Sequence, residues 1–334
     1  MKVIVDAMGG DNAPQAVIEG CTLALKELPA LRITLTGRQE IIEKELQKYD
    51  FDASRINIVN ATEVIDMAEP PVEAIRRKSD SSLVKGLRLL KKGEGSVFIT
   101  AGSTGATIAG ATLIVKRLPG VKRPALAPML PSKTGKVLLI DCGANAECRP
   151  SFLAQFALMG SVYMQKVEGV ESPRVGLVNN GSEAEKGNEL TKAAYKLMEE
   201  LPIHFAGNAE GRDLVSGDYD VIVCDGFTGN VILKFMEGVA SVLMSMLSKE
   251  LKSSMRTKIG AGMAMPAFKS FKKRMDYTEY GGALLLGVNG GVVKAHGSSN
   301  AKAIVSTLRQ AVSFIEGDVV NVIKEEISKV ALND

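Results

Sequence analysis

Six short segments hold the residues whose types and spacing could do chemistry: 7–14 (AMGGDNAP), 101–107 (AGSTGAT), 142–145 (CGAN), 179–189 (NNGSEAEKGNE), 225–230 (DGFTGN) and 294–300 (KAHGSSN). Glycine- and serine-rich backbone ahead of a helix points N–H donors at an anion, and the helix dipole adds roughly half a positive charge. Gly9, Gly10, Ser103, Thr104, Gly105, Ser298 and Ser299 supply such backbone, and Lys186, Lys294 and His296 add side-chain charge or donors. Asn145, Asn180, Asn188 and Asn230 are neutral donors that can hold an oxyanion without taking up a proton. Asp6, Asp11 and Asp225 complete the polar set; for Asp6, Asp141 and Asp225 the ordinary role is a helix cap or a turn. Together the loops read as a phosphate-binding site. They are not a standard nucleotide site, because the chain has no GxxxxGK loop, no GxGxxG after a strand and no GxSxG elbow. Lone carboxylates at three strand ends do not call for a metal, and no metal or cofactor is expected. His204, in the apolar run IHFAG, reads as a core or edge residue.

Something must bring these loops together. Short β-branched runs at 3–6, 33–36, 56–59, 97–100, 137–141, 175–178, 203–206, 221–224 and 284–287 read as strands. Amphipathic segments at 13–28, 39–49, 81–92, 106–117 and 183–201 lie between many of them, which means βαβ units and a mainly parallel sheet. VIVD, VLLID and VIVCD are apolar at successive positions, as strands buried on both faces require. The expected fold is therefore a mainly parallel sheet with helices on both faces, a three-layer α/β/α arrangement over residues 1–334, with most of the six loops along one edge of one sheet, where ligands bind in such folds. The proline-rich stretch 119–131 reads as a crossing between two halves of the sheet or as an ordered loop. Apolar residues from Ile304 to Ile327 recur every three or four positions and predict one long C-terminal helix.

Of the 334 residues, 46% are hydrophobic and 24% charged, which excludes a disordered chain and a small disulfide scaffold. Four cysteines form no CxxC pair, and Cys142 and Cys224 close apolar runs, so buried reduced thiols are expected. The N-terminal apolar run stops at Asp6, too short for a signal h-region, and the apolar stretch at 238–247 is interrupted by serines before reaching the ~18 residues of a span. These features predict a cytoplasmic protein, peripheral to a membrane at most.

The net charge of +3 is unevenly spread. Residues 249–276 hold eight basic and two acidic side chains; taken from totals of 41 and 38, they leave 33 basic against 36 acidic elsewhere. This segment interleaves Arg256, Lys258, Lys272 and Lys273 with Met263, Phe268 and Phe271, around Pro266. With the apolar stripe from Phe235 to Leu247, it predicts a helical hairpin at 231–276 projecting from the sheet. Three roles suit the tip: contact with an anionic membrane surface, docking of an acidic protein (for which Arg76, Arg77 and Lys78 also qualify), or packing in a dimer. No nucleic-acid motif accompanies it.

MGGDNAP, TAGSTGA, RPALAP, LIDCGAN, MGSVY, RVGLVNNGSEAEKGNE, DGFTGNV, YGGALLLG and KAHGSSNAKA, in this order along nearly the whole chain, resemble the bacterial acyl-ACP:phosphate acyltransferases of phospholipid synthesis. The resemblance implies a Rossmann-like fold related to phosphotransacetylases and isocitrate-type dehydrogenases, and a homodimer. It implies conversion of acyl-ACP and inorganic phosphate to acyl phosphate and free acyl carrier protein, the product passing to a membrane glycerol-3-phosphate acyltransferase. Phosphate is already an anionic nucleophile, so positioning and oxyanion stabilisation would suffice. In this assignment Lys186, His296 and the amides around Ser103–Gly105 and Ser298–Ser299 hold phosphate. Asn230 faces the thioester oxygen, with Asn188 or Asn145 as substitutes, and Cys142 as an acyl-accepting nucleophile is the lesser alternative. Two other readings compete: an NAD-linked hydroxyacid dehydrogenase of related fold, and a lipid-surface scaffold without catalysis.

Overall fold

A computed structural model describes residues 1–275 and 280–332, without the side chains of 272–275. The first half alternates β1 (Lys2–Asp6), α1 (Gln15–Glu27), β2 (Arg32–Gly37), α2 (Gln39–Leu46), β3 (Ile56–Asn60), α3 (Pro71–Arg77), α4 (Ser82–Lys91), β4 (Val97–Thr100) and α5 (Thr104–Gly110), which runs into a π turn at Ala111–Val115. Next come β5 (Ala125–Ala127), β6 (Met129–Ser132), β7 (Gly135–Ile140), α6 (Pro150–Glu168), β8 (Arg174–Asn179), α7 (Glu189–Glu199), β9 (His204–Glu210) and β10 (Val221–Val223). The chain ends with α8 (Gly226–Leu251), α9 (Met255–Met263), α10 (Met265–Met275), β11 (Ala283–Leu286), β12 (Gly291–Lys294), α11 (Ala301–Glu316) and α12 (Val319–Lys329).

The expected single sheet is two. One runs β3-β2-β1-β4-β12-β11-β5 and the other β6-β7-β10-β8-β9. Pairing is parallel except where β11 meets β12 and β5, and where β6 meets β7. The proline-rich stretch is the crossing: β5 closes the first sheet, Pro128 follows, and β6 opens the second. Both sheets are covered on both faces, as the unbroken apolar strands require. Val3, Val5, Ile33 and Ile99 face one cluster while Ile4 and Phe98 face another, the two-residue alternation of a strand. The first cluster continues under the second sheet through Leu138, Ile140, Val175, Leu177 and the α6 residues Phe156 and Tyr163, so one core underlies both sheets. Burial of each large side chain of this kind stabilises by roughly 1.5–3 kcal/mol.

Several sequence expectations need correction. The long C-terminal helix is broken at Gly317 and Asp318, and Asp318 takes a positive φ of 48°; the apolar period runs across the break because α11 and α12 both feed the same core. The segment read as a helix from 183 begins only at Glu189, capped by the Asn188 side chain. The helix expected over 106–117 ends its α-helical part at Gly110. The strand that leads into KAHGSSN is β12, parallel to β4, and not the run at 284–287, which forms antiparallel β11. The basic hairpin consists of three helices, and Asp276 at its expected end lies outside the described residues. The stretch thought too short for a span belongs to α8, whose 26 residues are long and apolar enough by length and composition. Yet Asn230, Lys234, Glu237, Ser241 and Ser248 line one side of it at helical spacing, so it is an amphipathic surface helix.

Arg55 closes the open end of α1. Its guanidinium donates to the carbonyls of Leu25 (2.7 Å) and Leu31 (2.8 and 3.0 Å) and to that of Leu28, satisfying acceptors that a helix end leaves free. Arg55→Ala is expected to lower unfolding free energy by about 1.5–3 kcal/mol in chemical denaturation, the range for charged hydrogen bonds; an unchanged midpoint would contradict this role.

Candidate active site

At the carboxyl edge of the first sheet, three loops meet around Asp6. Its buried carboxylate accepts from the Met8 amide (3.1 Å) and the Thr100 hydroxyl (2.8 Å), and that hydroxyl in turn accepts from the Gly102 amide (3.0 Å). Burial pushes the Asp6 carboxyl up, against these hydrogen bonds. Gly10 has a φ of +104°, and a β-carbon there would stand 2.8 Å from that of Ala101, so the 7–14 loop can lie on the 101–107 loop only as glycine. The Asp11 amide donates to the Gly297 carbonyl (2.8 Å), and the Asn12 side chain to those of Ser298 and Ser299 (3.0 and 3.2 Å). Asp6, Gly9, Gly10, Asp11, Ser103, Lys294, His296, Ser298 and Ser299 are thus brought to one place. Ser103 caps α5 through the Ala106 amide, and the amides of Thr104 and Gly105 in its first turn have no partner within the helix.

Lys294 is buried here, with its ammonium on the carbonyls of Ala101 (3.2 Å) and Ala295. The amides of Ser298 and Ser299 are both used inside their loop, on His296 Nδ1 (3.2 Å) and the His296 carbonyl (3.0 Å). Because a backbone N–H can only donate, Nδ1 is the accepting nitrogen of this contact, and Nε2 is the ring nitrogen on the other side. Ser298 also places its hydroxyl 2.8 Å from Nδ1.

The second sheet carries the other half. Asp141, just beyond β7, is fully buried; its carboxylate accepts from the amides of Leu126 (2.8 Å), Ala144 (3.2 Å) and Asn145 (2.7 Å) and from the Asn145 side chain (2.9 Å). Both donors of the Asn145 amide are engaged, the second partner being the Pro124 carbonyl (2.7 Å). The Asn145 carbonyl accepts from the Gly226 amide (2.7 Å), which docks the start of α8 on this loop. A β-carbon on Gly229 would overlap the Asp141 carbonyl oxygen, so the first turn of α8 approaches as only glycine permits. Asn230, one residue on, holds its side-chain amide nitrogen 3.6 Å from the point a Gly143 β-carbon would occupy.

A cleft of about 270 Å³ opens at the carboxyl ends of β8 and β10, lined by Asn179, Asn180, Asn188, Cys224, Asp225 and Thr228 among others. Asp225 caps α8 through the Thr228 amide and hydroxyl (2.9 and 2.7 Å), and Asn188 caps α7 through the Thr191 amide (2.9 Å). Lys186 is exposed on the loop between β8 and α7, and among the described residues its ammonium makes no ion pair. That loop is held by two residues the sequence reading did not select. Asn179 donates to the Lys186 carbonyl (3.1 Å) and to Asn208 Oδ1 (3.0 Å), and Asn208 donates to the Glu183 carbonyl (2.7 Å). The signal for Asn208 was an asparagine inside a strand, where that residue is depleted. Burial drives the Cys142 and Cys224 thiols well up, and Cys148 to about 12, which makes all three poor nucleophiles. Among the described residues no three His, Cys, Asp or Glu side chains gather as a metal site.

From Asp225, α8 leaves the body. Only Gly226 and Gly229 in it are buried, while Phe227, Val231, Phe235, Val242 and Met246 form an exposed apolar stripe. At its far end Met244, Leu247, Leu251, Met265 and Phe268 enclose a cleft of about 360 Å³ with Lys258 at its rim. Met263 is 82% exposed and Phe271 is also exposed; Arg256 is exposed on α9, and the side chains of Lys272 and Lys273 lie outside the described residues.

Residues 1–322 match the model of a family described as "Fatty acid synthesis protein". The chain is 51% identical over 329 residues to a phosphate acyltransferase of Clostridium novyi, covering 98% of this chain and 99% of that one. It is 50% identical over 334 residues to a phosphate acyltransferase of Clostridium botulinum, covering 100% of both. Among solved structures it is similar to a phosphotransacetylase from Streptococcus pyogenes, with a TM-score of 0.61 and 18% identity over 96% of this chain and 94% of that one, a likeness of fold.

Burial holds the Lys294 ammonium at about 8 instead of the ordinary 10.5, with Asp11 and Asp6 opposing the shift. Between those values the unfolded chain carries a proton that the folded chain has shed, so this group makes stability rise with pH across the window. Lys294→Met is expected to remove that rise, measured as unfolding free energy at the two ends of the window; a slope equal to the wild type would contradict it.

Proposed function

The chain belongs to the fatty acid synthesis protein family and is an acyl-transferring enzyme that uses phosphate, and on that premise we propose that it moves the acyl group of acyl carrier protein directly to inorganic phosphate. The dehydrogenase and scaffold alternatives give way to this membership. The observation that carries the proposal is the pair of donor-rich half-sites at the carboxyl edges of two mainly parallel sheets, joined at Asp141. One half offers an anion the first turn of α5 and His296; the other offers Lys186, Asn180 and Asn230. Buried Lys294 supports the first half electrostatically from behind.

A phosphate oxygen attacks the thioester carbonyl carbon and forms the C–O bond of a mixed anhydride. The C–S bond breaks, and the thiolate of the carrier leaves and takes a proton from solvent. Lys186 and His296 hold the phosphate in line, and the Asn230 amide donates to the carbonyl oxygen as its negative charge grows. No general base is required, because phosphate near neutral pH is already anionic. The buried, proton-retaining state of Cys142 supports direct attack over an acyl-enzyme on that thiol.

Residues 1–334 act as one catalytic unit from which 231–276 projects. The apolar stripe of α8 packs against a second copy in a homodimer. The tip, basic with Met263 and Phe271 exposed, rests on the anionic inner face of the cell membrane and places the acyl phosphate near a membrane glycerol-3-phosphate acyltransferase.

Asn230→Ala is expected to cut kcat on the order of 10²-fold, as loss of one oxyanion donor does, and Lys186→Ala to raise KM for phosphate, both with wild-type melting curves. Near-normal turnover in both would refute the assignment. In flotation with phosphatidylglycerol vesicles, Met263→Glu with Phe268→Glu is expected to abolish binding; full retention would refute the membrane role of the tip.

A further inference from the structure

The projecting tip is not the only basic surface. Residues 71–92, spanning α3 and α4, hold seven basic side chains against two acidic ones. Within this patch Lys78 is paired with Glu69 (2.6 Å) and Lys85 with Asp80. Arg76 and Arg77 differ. Both are exposed, Arg76 makes no ion pair among the described residues, and Arg77 stands 4.0 Å from an exposed Glu73. Arg88 joins them by donating to the Ser79 carbonyl (3.0 Å), and Val72 and Met67 add exposed apolar surface.

The position of this patch matters as much as its charge. Pro71, the first residue of α3, packs so closely on Gly105 that a β-carbon there would stand 2.6 Å from its ring. Met67 reaches within 3.5 Å of the point a Gly297 β-carbon would occupy. The segment leading into α3 therefore walls both anion-binding loops of the first half-site, and Arg76 lies only about 7.5 Å further along the helix axis. The last turn of α8, by contrast, is about 39 Å from its Asp225 cap at 1.5 Å per residue. An acyl group delivered on a carrier's prosthetic arm must reach the site while the body of the carrier stays docked, and only the nearer surface meets that condition.

Resting on the proposed use of a carrier-bound thioester, we infer that the exposed Arg76–Arg77 end of α3, with Arg88 and Val72, is where an acidic carrier protein docks, and that the basic tip is not. Arginines at the rim of an acidic partner raise the association rate and lose their effect in salt.

The test is Arg76→Glu with Arg77→Glu, set beside Lys252→Glu with Lys258→Glu at the tip. Acyl phosphate formation is followed with the acylated carrier protein and with a carrier-free acyl-pantetheine thioester. The α3 variant is expected to raise KM for the acylated carrier roughly tenfold and to flatten its salt dependence, with rates on the carrier-free thioester within about twofold of wild type. The tip variant is expected to leave both substrates unaffected. An unchanged carrier KM in the α3 variant, an equal loss on both thioesters, or a KM rise confined to the tip variant would each overturn the proposal. So would loss of binding to phosphatidylglycerol vesicles by the α3 variant at unchanged carrier KM, which would make the patch a membrane surface. Failure of the wild type to form acyl phosphate from either thioester would instead remove the functional reading beneath it.

Discussion

Much of this structure depends on one buried carboxylate. Asp141 takes four hydrogen bonds, and their donors come from both sides of the molecule: the Leu126 amide from β5 in the first sheet, and the backbone and side chain of the 142–145 loop in the second. A buried carboxylate is tolerated only when so satisfied, and burial still pushes this one up. What the arrangement achieves is registration. The loop that Asp141 organises also accepts the first amide of α8, so the two sheets, the oxyanion candidate Asn230 and the projecting helix are all referred to one point. Asp6 does the same on a smaller scale, collecting the ends of β1 and β4.

The chemistry suits such a frame. Attack of an anionic nucleophile on a thioester needs little proton movement and much positioning, so fixed amides, an imidazole and ammonium groups are the appropriate equipment. Groups that would compete are kept inert: Cys142 and Cys224 are buried and Cys148 partly so, and desolvation pushes all three thiols up. Surfaces then divide the remaining work by distance. The α3 rim lies beside the site, the stripe of α8 leaves it, and the basic tip lies farthest out.

The sequence disclosed what local patterns encode. Strands such as VIVD and VIVCD were legible because burial on both faces removes polar residues from them, and the glycine loops because close approach leaves few other choices at Gly10 or Gly229. What escaped was set by non-local partners. Three-residue β5 has no strand pattern of its own and exists because β11 lies beside it. The division into two sheets follows from pairing across the proline-rich crossing, which no local period reveals. Lys186 was placed on a helix because its neighbours favour one, whereas Asn179 and Asn208 fold that stretch into a clamped loop. Asn208 itself is remote in sequence from the residue it steadies.

The central claim is that phosphate attacks the carrier-bound thioester directly, in a site assembled from both sheets. It is tested most directly by mixing enzyme with a stoichiometric amount of acylated carrier protein in the absence of phosphate and following free carrier thiol. No thiol should appear until phosphate is added, and then one acyl phosphate should form for each thiol released. Release of one equivalent of thiol before phosphate is present would contradict the account.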